Sequence, residues 1–302
     1  MTSLAQRASV ASLPMALPQP PSVPHCYRHP DREAGRSCTR CGRPACSDCL
    51  VQATVGSHCL ECAKAARPDV MTRVKYANAR VLIPATYALV GINLAVFAWM
   101  VAQDTGTLSS NITKAHVDLG LNRTLLHYSH EWYRVITSGF IHFGIVHIAF
   151  NMLVLFQLGQ LVERELKAPK FVLVYMASLL GGSFGALLLD GTRIQLTGGA
   201  SGAVFGLLGA AAVGLHRRGV NVFNTGIGMT IVLNLVFTFS ISGVSIGGHL
   251  GGLVAGGICG WFVLAPSWRP QPAWAAWAAP IAVGLIAAVG CWWAATSLPV
   301  AV

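Results

Sequence analysis

One hydroxyl, Ser201, sits among glycines and alanines in the stretch LTGGASGAVFG, inside a very apolar part of the chain. A serine oxygen is a poor nucleophile until a base takes its proton, and a neutral imidazole does this near neutral pH. A candidate base, His249, lies in a second apolar stretch, SIGGHLGGLVAGG. A third, FIHFGIVHIAFNMLVLFQLGQLVERE, carries His142, His147, Asn151 and Glu163. His147 and Asn151 are four apart and so share a helix face. Ser201 follows Gly198 and Gly199 and is expected to open a helix, which leaves its own N–H without an intrahelical partner. That N–H and the side chains of His147 and Asn151 form a donor set suited to the oxyanion of a tetrahedral intermediate. The chemistry these residues permit is acyl transfer through Ser201 with His249 as base. Neither flanking span supplies an Asp or Glu to orient His249, so the reading is a dyad.

Taken singly, Ser201 reads as a small packing residue and His249 as a buried, hydrogen-bonded histidine. Their glycine context joins them. Gly248, Gly252, Gly256 and Gly260 recur at every fourth position around His249, and Gly202 and Gly206 give the Ser201 helix a matching small face. Such faces let two helix backbones approach closely, which would bring the imidazole within reach of the hydroxyl.

A second set of chemistry-bearing residues lies upstream. Seven of the nine cysteines fall between Cys26 and Cys62, in four two-residue-spaced pairs: Cys26 and His29, Cys38 and Cys41, Cys46 and Cys49, Cys59 and Cys62. Eight such ligands suit two tetrahedral zinc sites. A segment of this size is too small to hold itself by a core, so metal is the expected staple. A disulfide framework is disfavoured by the odd cysteine count and the lack of an upstream signal peptide. His25 and His58 are spare neighbours.

The elements that must position these residues follow from composition. The 302-residue chain is 54% hydrophobic and 11% charged, against about 25% charged in soluble domains, which makes it an integral membrane protein in contact with the bilayer. Residues 1–24, rich in Pro, Ser and Ala, are expected to be a disordered tail, and 63–81 a basic linker. Candidate spans are 82–102, 143–162, 170–189, 199–216, 225–241, 246–265 and 274–296. A reduced, zinc-bound head argues for a cytoplasmic N-terminus. With that orientation the inside connections hold eleven Lys and Arg and the outside ones four, as the charge rule requires. The C-terminus is then extracytoplasmic, and His142, His147, Ser201 and His249 fall toward the outer half of the membrane. The net charge of +10 needs no nucleic acid, and none is expected as a partner.

The constellation resembles the rhomboid family of intramembrane serine proteases. GASG at Gly199–Gly202, HFGIVHIAFN carrying His142, His147 and Asn151, and GGHLGGLVAG carrying His249 match its motifs in order. EWYRVITSGFIH resembles the family's Trp-Arg loop, with Tyr133 before Arg134 and Trp132 one place early. Glu163 and Arg164 match a structural pair at the inner end of the second helix. Where the family often has Tyr, Phe205 follows the nucleophile by one turn and would stack on His249 without the hydroxyl. The resemblance implies an all-α polytopic membrane protein with a six-helix core over 82–265. An extra transmembrane helix and tail over 266–302 follow it, with Trp274, Trp277, Trp292 and Trp293 near the helix ends.

The resemblance further implies a dyad of Ser201 and His249, oxyanion donors at His147 and Asn151, and His142 lining or hydrating the cavity. Substrates would be transmembrane helices cut near the outer face, with a small P1 residue and no metal in the chemistry. The fifth span is the lateral gate by the same analogy. Residues 25–62 resemble a B-box-like zinc finger. On that pattern Cys26, His29, Cys46 and Cys49 hold one structural zinc, and Cys38, Cys41, Cys59 and Cys62 the other. A cytosolic protein is a candidate partner of this finger, and a bacterial plasma membrane suits the short loops. The rival is a proteolytically inactive rhomboid-like scaffold or quality-control adaptor acting through its zinc finger; the presence of both Ser201 and His249 weighs against it. A channel or carrier would need inverted repeats or a midplane charged site, and the sequence has neither.

Overall fold

A computed structural model describes residues 23–53, 55–66, 82–109, 111–190, 196–240 and 243–298. Most of the expected tail and linker lie outside the described residues. The chain divides into two compact units, Met1–Arg80 and Val81–Val302.

The first unit is built from two small antiparallel ribbons and one short helix. β1 (Arg36–Ser37) pairs with β2 (Pro44–Ala45), and β3 (Leu50–Gln52) pairs with β4 (Ser57–Cys59), which runs into α1 (Leu60–Ala65). The Cys59 sulfur caps α1 by accepting the Cys62 N–H at 3.4 Å. The apolar core here is little more than Cys26, Ala45, Cys46 and Cys49 with Tyr27, Leu50 and Leu60 against them. So small a cluster cannot offset the chain entropy of some forty ordered residues.

The second unit is helical. Its long elements are α2 (Pro84–Gln103), α6 (Ile145–Leu189), α7 (Ser201–Arg217), α8 (Gly226–Ser240), α9 (Ile246–Val263) and α10 (Ala275–Ser297). Between α2 and α6 lie α3 (Lys114–Leu119), α4 (Arg123–Ser129) and α5 (Arg134–Thr137). Among the described residues four helices, α2, α6, α9 and α10, are long and apolar enough to cross a membrane. α6 is two rods: Lys167 leaves helical geometry at φ 65°, ψ 160°, two residues before Pro169. The sequence places a break between 162 and 170; here it shrinks to one residue, Lys167, and Pro169 falls in the first turn of the second rod, where its missing N–H removes no helical bond. Helices therefore stand at all seven expected spans.

The second rod of α6, α7 and α9 form the centre, and glycine sets their spacing. A Cβ at Gly252 would strike the Gly202 carbonyl oxygen, and one at Gly256 the carbonyl of Gly206. On its other side α9 meets α6 as closely: Gly247 faces the Gly185 carbonyl and Gly251 that of Gly181. α10 packs on α6, with Gly284 against Ala177 and Gly290 against the Phe184 ring. Its Trp274, Trp277, Trp292 and Trp293 are exposed.

Buried polar groups fix the periphery. Glu163, 1% exposed, caps α2 by accepting the N–H groups of Ala85 (2.9 Å) and Thr86 (2.7 Å) and the Thr86 hydroxyl (2.6 Å). Arg134, also buried, donates to the carbonyls of Val117 (2.6 Å) and Gly120 (2.9 Å) and pairs with Glu131. The Tyr133 hydroxyl and the Arg134 guanidinium hold the Glu131 carboxylate below its usual range.

Candidate active site

α7 begins at Ser201, as its glycine-rich approach suggests. Gly199 adopts φ 133°, a conformation that favours glycine, and its N–H is held by the Ser138 carbonyl at 2.8 Å. Ser201, as the first helical residue, keeps a backbone N–H with no intrahelical acceptor. α9 is aimed by a carboxylate at its N-terminus. Asp190, at the end of α6, accepts the Ser245 hydroxyl at 2.6 Å and the Gly247 N–H at 3.1 Å. Ser245 in turn accepts the Gly248 N–H at 2.8 Å. One turn on stands His249.

A cavity of about 740 Å³ is lined by Ser201 and His249 together with His147 and Asn151. It reaches from the Gly198–Gly199 turn to the gap between the first rod of α6 and α8. There Phe150 and Phe237 meet edge to face, their centroids 5.5 Å apart. α8 buries only Gly228, Asn234 and Thr238 and leaves a broad apolar face exposed.

The two cavity imidazoles are engaged differently. His147 accepts the Phe143 N–H at Nδ1, 3.3 Å away, so the neutral ring carries its proton on Nε2. That edge faces the nucleophile turn: a Cβ at Gly199 would lie 2.9 Å from His147 Nε2 and 3.6 Å from Ser201 Oγ. His147 is thus set to donate there. Asn151 uses one amide N–H on the His147 carbonyl at 2.9 Å and keeps the other. His249 has Phe205 stacked on one face, centroids 4.1 Å apart and planes inclined by 14°. Its Nδ1 meets the Thr238 hydroxyl at 2.7 Å.

His142 does not line the cavity, contrary to expectation. It is fully buried behind His147, ring centroids 5.1 Å apart, with Nε2 3.5 Å from the Ala200 N–H. It precedes the helix start at Ile145, across Gly144 at φ 88°, so the five-residue spacing to His147 crosses a turn. The sequence reading also passed over Thr238 and Asp190. A threonine in an apolar helix carries no signal of its own, and Asp190 meets α9 across 55 residues of chain.

In the first unit two groups of side chains could each hold a metal ion: Cys26, His29, Cys46 and Cys49, and Cys38, Cys41, Cys59 and Cys62. A zinc ion with bonds of about 2.3 Å to sulfur and 2.0 Å to nitrogen spaces tetrahedral ligands by about 3.5 to 3.8 Å. Here His29 Nδ1 lies 3.4 Å from Cys46 and Cys49 Sγ and 3.9 Å from Cys26 Sγ; Cys41 and Cys59 Sγ are 3.8 Å apart. The donor sets fit. His25 and His58 belong to neither group.

Residues 129–266, which hold all of these cavity side chains of α6 to α9, match the family model described as Rhomboid domain. The chain is 33% identical to the rhomboid protease GluP of Bacillus subtilis (strain 168) over 174 residues, 57% of this chain and 33% of that protein. It is 33% identical to the putative rhomboid protease YdcA of the same organism over 140 residues, 44% of this chain and 66% of that protein. With the rhomboid protease GlpG of Photorhabdus laumondii it shares 28% identity over 201 residues, 62% and 67% of the two chains. The chain spans between a third and half of the length of the first curated relatives it matches. The match to the Rhomboid domain model lies within the second unit, and it and these relatives support the rhomboid family.

Proposed function

We propose that this chain is an intramembrane serine endopeptidase that cleaves transmembrane helices of other membrane proteins. The observation that carries the reading is that Ser201, His249, His147 and Asn151, from three helices, line one cavity within an apolar helical unit. His249 removes the proton of Ser201 as its Oγ forms a bond to the scissile carbonyl carbon. The oxyanion is met by the Ser201 N–H, His147 Nε2–H and the free Asn151 N–H, each such donor being worth about 3 kcal/mol. As the C–N bond breaks, the proton on His249 passes to the leaving amine. Water then gives a proton to His249 as its oxygen bonds to the acyl carbon; the bond from that carbon to Ser201 Oγ breaks, and Oγ takes the proton back from His249. The gap at Phe150 and Phe237 is the entry for substrate, with α8 as the loosely held gate. A helical substrate must unwind there before attack, so helix-weakening residues and a small P1 side chain are favoured.

Residues 25–62 are the B-box-like finger in this reading, holding two structural zinc ions that take no part in the chemistry, and facing the cytoplasm with the N-terminus. The test is cleavage of a panel of single-span reporters by the purified full-length protein, with Ser201→Ala and His249→Ala beside it. Product from the wild type alone supports the protease. Equal product from all three marks a contaminant. If no protein gives product and a fluorophosphonate probe labels none of them, the chain is a scaffold.

A further inference from the structure

The dyad reading leaves unanswered what orients the base, since among the described residues the side-chain hydrogen bond at His249 comes from a threonine and not from a carboxylate. The structure assigns that task to Thr238: we infer that its hydroxyl holds His249 in the Nδ1–H tautomer, leaving Nε2 as the free lone pair for Ser201. This rests on the protease reading and adds a positioning residue to it.

Three observations carry the inference. Thr238 Oγ1 stands 2.7 Å from His249 Nδ1 and 2.7 Å from the Asn234 carbonyl one turn back on α8. A hydroxyl has one proton and two lone pairs. With its proton on the carbonyl, a common habit of threonine in helices, the oxygen can only accept from His249, which puts the imidazole proton on Nδ1. Second, the contact is sheltered: Thr238 is 2% and His249 9% exposed, and Phe205 covers one ring face. The ring is therefore held in plane by stacking and about its axis by one hydrogen bond. Third, α8 fully buries only three residues, and Thr238 and Asn234 are two of them. An inward polar side chain on such a helix needs a partner, and His249 is the one it has across the gap. The two cavity imidazoles then hold opposite tautomers: His147 presents a donor at Nε2 and His249 an acceptor. Because Thr238 rides on α8, the same contact ties the helix beside the lateral opening to the base.

The experiment compares full-length wild type with Thr238→Val, which keeps the shape and loses the oxygen, Thr238→Ser, which keeps the oxygen, and Thr230→Val. Thr230 makes the same bond to its own helix, to Gly226, but lies outside the cavity. Two readouts are taken: reporter kinetics, and the 15N shifts of His249 in histidine-labelled protein, assigned with His249→Ala. The expected result is a kcat lower by roughly ten- to a hundredfold in Thr238→Val at little-changed KM. Thr238→Ser recovers most of the rate, and Thr230→Val matches wild type. The His249 shifts should report Nδ1–H in wild type and a mixture in Thr238→Val. A wild-type signal of Nε2–H, or one unmoved by Thr238→Val, overturns the inference even in an active protease. A rise in KM alone would make Thr238 a packing residue of the gate and overturn it as well. If the wild type cleaves nothing, the protease reading fails separately, and the nitrogen shifts still decide what Thr238 does to His249.

Discussion

Phe205 lies nearly parallel to His249, ring centroids 4.1 Å apart. The aromatic face limits the tilt of the imidazole but cannot choose which nitrogen carries the proton. Stacking of this kind contributes about 0.5 to 1.5 kcal/mol. Phe205→Ala should therefore lower kcat/KM by roughly three- to tenfold, and Phe205→Leu by less. Phe205→Tyr should keep activity, because the flat face is retained. Steady-state cleavage by the three variants checks the order; equal rates in all would mean the stack does not constrain the base.

The spacing of α7 and α9 is the second determinant. At Gly252 an added methyl would run into the Gly202 carbonyl, whereas at Gly257 it would meet Val213 Cγ2 at 3.6 Å and the Gly209 carbonyl oxygen at 4.0 Å, ordinary contacts. Gly252→Ala should push the helices apart, separate Ser201 from His249 and cost a hundredfold or more of activity by order of magnitude. Gly257→Ala should be tolerated. Fluorophosphonate labelling of the two variants reads the dyad directly, independent of substrate.

These contrasts bear on what could be read from the chain alone. The Gly248 to Gly260 repeat has one periodicity, and it announces the α7 contact; the second glycine face, Gly247 and Gly251 against α6, is visible only once both partners are in place. The helices at all seven positions were legible because each is a marked apolar run, although two of them are shorter than a full span. His142, which the family pattern implied would line or hydrate the cavity, stands before Gly144 in the turn that precedes the helix and is not among the cavity-lining residues. Thr238 was illegible for a different reason. Its partner is eleven residues away across a turn, and its hydroxyl has a local acceptor that accounts for it equally well in sequence. The pairing of the eight ligands came from a family pattern, and the same partition is seen in their proximity.

Glu163 offers a stability test away from the cavity. Its carboxylate takes three hydrogen bonds from the first turn of α2 while nearly fully buried. Glu163→Ala leaves two backbone donors and a hydroxyl unsatisfied, a loss of roughly 3 kcal/mol or more. Glu163→Gln should lie between, since its amide can accept at one oxygen only. Thermal unfolding in detergent should rank wild type, Gln and Ala in that order, with specific activity per folded molecule much less affected.

The Glu131 and Arg134 pair gives a pH signature. The folded-state carboxylate is held below its ordinary value, so its contribution is present at neutral pH. It is lost as pH falls through the ordinary carboxylate range of about 4 and toward the depressed folded value. Glu131→Gln should lower the melting temperature at pH 7 and flatten its fall between about pH 5 and pH 3. A parallel shift at every pH would show that the charge is not what holds the loop.

Metal removal tests the first unit. Its apolar cluster is too small to fold unaided, and the ligand atoms of each of its two groups lie within 4.8 Å of one another. Purified protein should carry two zinc ions per chain by elemental analysis. Cys46→Ser should reduce the content toward one, since it belongs to one group, and Cys41→Ser should do the same through the other. Because thiolates bind metal and thiols do not, acidification should release zinc with proton uptake. A strong chelator should expose residues 25–62 to limited proteolysis and leave the helices of the second unit intact by circular dichroism. Reporter cleavage in detergent should survive the same treatment, as expected when Ser201 and His249 carry the reaction without metal. Cleavage abolished by chelation and restored by zinc alone would make the finger a required regulator, and its ligands would then join Ser201 among the residues on which turnover depends.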